Sequence, residues 1–131
     1  MFGGKNEKQI TVFLNDAGGD GTNNQILLFT ENAITIQRIV AQQVGTGDIA
    51  LTTTQIRLDF YDGGTDGTGT GAIANRGGTT GGWTSGKVYG LTIDDDSIAA
   101  GRYLTMQYAE GGTIAFRQFV INVSYLENAG S

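Results

Sequence analysis

The sequence lacks three residue types on which many folds and functional sites depend, since it contains no cysteine, no histidine and no proline. Without cysteine there is neither a disulfide framework nor a thiolate metal site. Without histidine, the Ser-His-Asp and Cys-His nucleophilic systems are excluded, as is the usual histidine-containing zinc site. A chain with 22 glycines and no proline must make its turns from glycine, asparagine and aspartate, which tolerate positive φ.

Long apolar runs and clustered positive charge are missing as well. The chain has 131 residues, and a length of about 100–150 residues is typical of one domain. No apolar run approaches the ~20 residues of a membrane span, and the start of the sequence has no signal-peptide core. The net charge is −5, and the eight Lys and Arg residues are scattered. Because phosphate-backbone binding depends on clustered Lys and Arg, we expect no nucleic-acid partner and no membrane partner.

The apolar residues recur with the period of two that is typical of β-strands. In residues 33–42 the alternation is imperfect, as it is where a β-bulge switches faces. The single candidate for a helical turn is 95–100, where Asp96 or Ser97 could cap it. A short strand at 71–75 would divide the glycine-rich loop at 62–86 into two turns. The other predicted strands cover residues 9–14, 25–30, 33–42, 54–61, 87–93, 102–108 and 113–126.

The loops contain several Asp-Gly pairs, at 16–24 and again at 62–86. A helix-loop-helix calcium site needs an oxygen ligand at its third position and Glu at its twelfth, and both loops have glycine and an apolar residue there. Asp-Gly pairs also make tight turns. The acidic triplet at 94–96 is either a solvated turn or a weak contact for a cation or partner. No glycine run leads into the Lys-Ser/Thr of a phosphate cradle, and no carboxylate pair stands out as catalytic. We therefore expect no cofactor, no metal and no enzymatic activity.

Two regions offer side chains that could contact a partner. In the loop at 62–86, Arg76 and Trp83 have enough surface to anchor one. A loop tryptophan also commonly covers a core edge or lies in a subunit interface. Residues 1–9 are predicted to form an N-terminal arm, either a frayed terminus or one that orders on docking. In the docking interpretation Phe2 is an apolar anchor, and Lys5 and Lys8 are charges for an acidic partner.

Two segments of the sequence resemble small jelly-roll domains of tailed-phage particles. Residues 29–43 (FTENAITIQRIVAQQ) are similar to their opening core strand, and residues 92–126 are similar to their closing half. The closing half has the pattern I-x-x-G-x-Y-L-T from Ile98, then Gly111-Gly112, then a long final strand over 119–125. The resemblance covers about half of the chain. It implies a jelly roll of two four-stranded sheets, commonly trimeric, that serves as a capsid decoration (cement) protein or as a fibre or tail domain.

Together these patterns predict an all-β protein, an antiparallel two-sheet sandwich of the jelly-roll type with about eight strands. The sandwich is expected over residues 10–127, between the arm at 1–9 and a C-terminal tail at 128–131. The predicted function is that of a structural virion protein, a homotrimeric decoration protein on the capsid surface that binds the major capsid protein. The alternative is a tail or fibre module that binds a receptor or a host-surface glycan through Arg76 and Trp83.

Overall fold

The computed structural model describes residues 7–14, 21–44, 48–49, 57–77, 82–110 and 118–128, and these residues form β-strands and no helix. The all-β prediction is thereby confirmed, including the short strand inside the long glycine-rich loop. The strands are β1 (Glu7–Leu14), β2 (Gly21–Phe29), β3 (Ile34–Gln43), β4 (Arg57–Asp62), β5 (Gly71–Gly77), β6 (Val88–Gly90), β7 (Ser97–Ile98), β8 (Tyr103–Glu110) and β9 (Phe119–Glu127). The predicted strand residues 54–56 and 113–117 lie outside the described residues.

The strands pair as nested antiparallel partners, which is the arrangement of a jelly roll. β4 pairs with β5, β3 with β6 and β7, β2 with β8, and β1 with β9. Two sheets result: sheet I has the order β1-β9-β3-β6, with β7 also on β3, and sheet II has the order β2-β8-β4-β5. The predicted two-sheet jelly-roll sandwich is therefore confirmed.

The predicted helical turn at 95–100 is wrong, because these residues pair with β3. Ile98 lies opposite Ile34 and Ser97 opposite Thr35 in an antiparallel register. In addition, the carbonyl of Asp96 accepts a hydrogen bond of 2.7 Å from the backbone N–H of Ile36. The local capping signal is thus overruled by the free edge of β3, which satisfies the backbone groups of this segment.

The irregular alternation of β3 comes from a β-bulge, as predicted. The register with β9 shifts between Ile36 and Arg38. Ile34 and Ile36 are buried before the shift, and Ile39 and Ala41 are buried after it. One strand therefore keeps two apolar sets on the same side of sheet I by inserting an extra residue between them.

The core lies between the two sheets and is built from the inward residues of the long strands. In β4, Leu58 and Phe60 are fully buried, as the alternation predicts. The opposite face of β4 and β8 is partly covered as well: Asp59 and Thr105 are both buried. Asp59 is paired with the Nε of Arg57 at 2.8 Å. Thr105 is covered by the loop that follows β4, which places this loop on the outer face of sheet II.

Candidate functional site

Trp83 is a core residue and does not present its ring to solvent. It is 1% exposed, and its indole packs edge-on against Phe119 and Tyr89, with ring centroids 4.9 Å and 5.7 Å away. Its backbone exchanges two hydrogen bonds of 2.8 Å with Ile49. The indole therefore covers an edge of the core, which is a common role for a loop tryptophan. In the isolated chain it offers no face for a sugar.

Arg76 lies beside Trp83, so the structure does bring the two predicted loop residues together. The guanidinium carbon lies 3.7 Å from the ring centroid of Tyr89 and 5.4 Å from that of Trp83. One terminal nitrogen, Nη2, donates to the carbonyl of Gly82 at 2.7 Å. Arg76 is held in place by this stacking and this hydrogen bond, and with Trp83 it lines an open cleft. A contact between Arg76 and a partner stays a prediction.

The N-terminal part of the chain departs from the predicted boundaries. β1 begins at Glu7 and pairs with β9 along its whole length, so residues 7–9 belong to sheet I and not to an arm. The ammonium group of Lys8 lies 3.0 Å from the carboxylate of Glu127, and this ion pair raises the pKa of Lys8. Phe2 and Lys5 lie outside the described residues. At the other end, Asn128 donates a 2.8 Å hydrogen bond to the carbonyl of Ala33, so the sandwich extends one residue into the predicted tail.

The outer face of sheet I carries a row of apolar side chains, exposed at Phe13 and Val88 and half-buried at Val120, that had not been predicted as a contact surface. Phe13 pairs with Val120, Val120 with Gln42, and Gln42 with Val88, so these residues cross the sheet on one face. Phe13 is 62% exposed and Val88 is 55% exposed. The sequence of residues 9–14 does indicate an apolar residue on the outer face. Ile10, Val12 and Leu14 alternate on the inner face, and Phe13 falls on the opposite one.

Val44 extends this row at the end of β3. It follows Gln42 by two positions, which is the spacing of residues on one face, and it is 51% exposed. Its N–H donates a 2.8 Å hydrogen bond to the carbonyl of Gln118, which holds it beside β9. Phe13, Val44, Val88 and Val120 are called the apolar row below. Single exposed apolar residues are normal, whereas contiguous apolar surface marks interaction sites.

A second surface feature is a cavity of about 420 Å³ on the outer face of sheet II. Residues 24–26 of β2 and Tyr61 of β4 line it together with Thr105 and Gln107 of β8. The loop residues 66–70 form its remaining wall. The cavity therefore exists because a loop that leaves β4 folds back across the sheet.

The carboxylate of Asp62 anchors the start of this loop. It accepts hydrogen bonds from the N–H of Gly64 at 2.9 Å and from Nε of Arg102 at 2.9 and 3.1 Å. Gly63 donates a backbone hydrogen bond to Tyr103, and Tyr103 donates one to Gly64. The loop is thus tied to β8 by backbone bonds and an ion pair, so its position does not depend on side-chain packing alone.

The described part of the chain contains no metal-binding cluster and no membrane-spanning helix. No group of three or more His, Cys, Asp or Glu residues there is placed to hold a metal ion. Within the same residues, no helix has the length and hydropathy needed to cross a membrane. Of the two surface features, the apolar row suits contact with protein, and the cavity suits a small polar ligand.

No protein-family model and no curated protein matches the chain. Among solved structures, it is similar to a chain in the acidic stable capsid structure of Helicobacter pylori bacteriophage KHP30, with a TM-score of 0.52 and 12% identity over 92% of this chain and 86% of that chain. A chain in the structure of infectious bursal disease virus, Gx strain, matches with a TM-score of 0.36 and 14% identity over 96% of this chain and 31% of that chain. The chain thus spans about a third of the second match. The first likeness extends over most of both chains and shows that they share a fold.

Proposed function

We propose that this chain is a structural virion protein, and specifically a capsid decoration (cement) protein that docks on a viral shell through the outer face of sheet I. The apolar row carries the proposal, because it places apolar side chains on β1, β9 and β6 and just after the end of β3. The shared fold with a chain of a phage capsid supports it. The likeness covers 92% of this chain and 86% of the phage chain, so it extends over most of both.

The face of sheet I offers both kinds of contact that a specific interface needs. Beside the apolar row lies a polar half in which Thr11 and Gln9 donate hydrogen bonds of 2.7 and 3.1 Å to the side-chain oxygen of Asn122. Specific interfaces combine an apolar centre with a polar rim. On this proposal the aromatic ring of Phe13 is the anchor, since aromatic residues dominate the binding energy of many interfaces. The major capsid protein is the proposed partner.

Replacing Phe13 with aspartate is expected to weaken docking by about tenfold or more, because a charge would be buried in an apolar contact. The assay uses capsid shells that lack this protein, prepared from a virus in which its gene has been deleted. Purified protein is added, the shells are sedimented, and bound protein is quantified by mass spectrometry. Circular dichroism of each variant verifies folding.

The matched control for this assay is Phe29→Asp. Phe29 is 46% exposed, but it lies in β2, on the outer face of sheet II. It receives the same substitution, and its docking is expected to equal that of the unmodified chain. Equal loss in both variants would contradict docking through sheet I, whereas failure of the unmodified protein to bind the shells would contradict the decoration function itself.

A homotrimer is the assembly proposed for this protein, since closed symmetric packing protects exposed sheet edges. Light scattering after size exclusion is expected to report three times the mass of one chain. If the mass in solution is that of one chain, the copies bound to shells are counted per site by electron cryomicroscopy. Single copies on the shells would contradict the trimer. They would not contradict docking through sheet I.

A further inference from the structure

The cavity on sheet II is lined mainly by uncharged groups that both donate and accept hydrogen bonds. Nε2 of Gln107 donates to Oδ1 of Asn24 at 3.1 Å. This bond leaves the amide N–H₂ of Asn24 and the side-chain carbonyl of Gln107 for a ligand. The hydroxyl of Tyr61 and the amide of Gln25 make no side-chain hydrogen bond to the described part of the chain, so they too are available to a ligand. Neighbouring donors and acceptors of this kind match the adjacent hydroxyl groups of a sugar.

Apolar surface lies within reach of these polar groups. Ile26 lines the same cavity and is 59% exposed. Tyr61 adds an aromatic ring that carries a hydroxyl group. Such a side chain suits a ligand that has polar groups at its edge and an apolar face. Burial and the charge of Asp59 raise the pKa of Tyr61, so its hydroxyl remains a donor. Saccharides have such a form, since hydroxyl groups surround rings with apolar C–H faces.

The charge of the cavity selects against anions. Asp66 is the one ionisable acid or base besides Tyr61 among the lining residues, and no lysine or arginine lies there. Thr68 donates to its Oδ1 from both the backbone N–H at 3.0 Å and the hydroxyl at 2.7 Å. These bonds lower the pKa of Asp66 below its usual range, so the carboxylate is ionised at neutral pH. Its second oxygen, Oδ2, accepts none of these bonds and can accept from a hydroxyl group.

The rim of the cavity is held in place by close backbone packing. A Cβ atom added to Gly63 would lie 2.6 Å from Cγ2 of Thr105 and 3.2 Å from the Cα of Gly67. Gly67 has a φ of +83°, and a Cβ there would lie 3.1 Å from Cδ1 of Ile26. At Gly63 the loop therefore packs on β8 too closely for a Cβ atom unless a neighbour shifts, and at Gly67 it makes a tight contact with β2. A rim fixed before binding lowers the ordering cost that a ligand must offset.

From this chemistry and geometry we infer that the cavity between β2, β8 and the loop at 63–70 binds a neutral saccharide. Its volume of about 420 Å³ lies in the range of about 300–1,000 Å³ that is usual for small-ligand pockets. The site is separate from the cluster of Arg76 and Trp83, and it lies on the sheet opposite the apolar row. It therefore adds a ligand-binding function to the proposed docking function and does not depend on it.

The test is a titration of the ¹⁵N-labelled full-length protein with maltose, cellobiose, lactose and N,N′-diacetylchitobiose, followed by amide chemical shifts. At least one disaccharide is expected to produce saturable shifts centred on residues 24–26, 66–70 and 105–107. A sialylated form of lactose, which carries a negative charge, is expected to bind more weakly than lactose because it meets Asp66. Absence of saturable shifts with all four neutral disaccharides would overturn the inference, as would shifts centred elsewhere.

Two variants connect binding to the cavity. Asp66→Asn keeps an acceptor for Thr68 but removes the charge, and it is expected to weaken binding about tenfold, since hydrogen bonds to charged groups are stronger than those to neutral groups. Asp95→Asn is the matched control, because Asp95 accepts an equivalent 3.1 Å bond from the N–H of Ser97 away from the cavity. Equal affinities for the two variants would contradict the assigned site. Tyr61→Phe, which removes one hydroxyl, is expected to weaken binding independently of the loop.

Discussion

Replacing Trp83 with alanine is expected to lower the free energy of unfolding by about 3–5 kcal/mol, the usual loss for a buried aromatic residue. The ring is 1% exposed and contacts Phe119 and Tyr89 edge-on. Removing it leaves a cavity between β9 and β6 and takes away one face of the Arg76 stack. Because Trp83 is the only tryptophan of the chain, the variant lacks that fluorophore, and chemical denaturation is followed by far-ultraviolet circular dichroism.

The control for this measurement is Phe13→Ala, which removes an aromatic ring that is 62% exposed. Its unfolding free energy is expected to stay within about 0.5 kcal/mol of the unmodified protein, as for most surface substitutions. Similar small losses for both variants would contradict a core role for Trp83. Such a result would favour the other role considered from the sequence, in which the indole is available to anchor a partner.

Replacing Gly63 with alanine is expected to cost about 1–3 kcal/mol and to displace the loop at 63–70. The reason is steric, since Gly63 is not among the glycines with positive φ. The added methyl group would meet Cγ2 of Thr105 at 2.6 Å. Thr105 is a buried β-branched residue in a strand and has few rotamers with which to yield. Because the loop forms one wall of the cavity, the substitution is expected to reduce saccharide binding as well as stability.

Gly90→Ala is the matched control for this steric effect. Gly90 likewise is not among the glycines with positive φ, and a Cβ added there meets nothing within 4 Å. Its stability is expected to be unchanged or raised by about 0.4–1 kcal/mol, because alanine restricts the unfolded chain. Denaturation measures both free energies, and the amide shifts of residues 63–70 report the loop. A Gly63→Ala protein as stable as Gly90→Ala, with unchanged loop shifts, would contradict the close packing of the loop on β8.

The two surfaces divide the proposed work between the two sheets. The apolar row crosses sheet I, whereas the cavity lies on the outer face of sheet II. In a sandwich the two sheets are separated by a packed core about 10 Å thick, and their outer faces point in opposite directions. A shell and a saccharide could therefore be bound at the same time. Phe13→Asp and Asp66→Asn are therefore expected to act on separate measurements, each leaving the other unchanged.

The sequence by itself determined the strand content and most of the inner faces. Leu58 and Phe60 are buried as their alternation predicts, and the irregular rhythm of β3 marked a real bulge. These features are local: the period of a strand, the residues that stop it and the turns that link it to the next strand are encoded within a few neighbouring positions. The resemblance to phage jelly rolls added the expectation that the strands form a two-sheet jelly roll.

Only the tertiary structure decided which loop residues are core and which surfaces could bind. The capping signal at 95–100 became strand because a free edge of β3 was within reach. Trp83 is buried because β6 and β9 bring Tyr89 and Phe119 around it. Thr105, which alternates with the buried Leu104 and Met106, is covered on the outer face of sheet II by a loop from β4. In each case the deciding contact joins residues far apart in the chain, and the pattern of one segment carries no information about which distant segment will cover it.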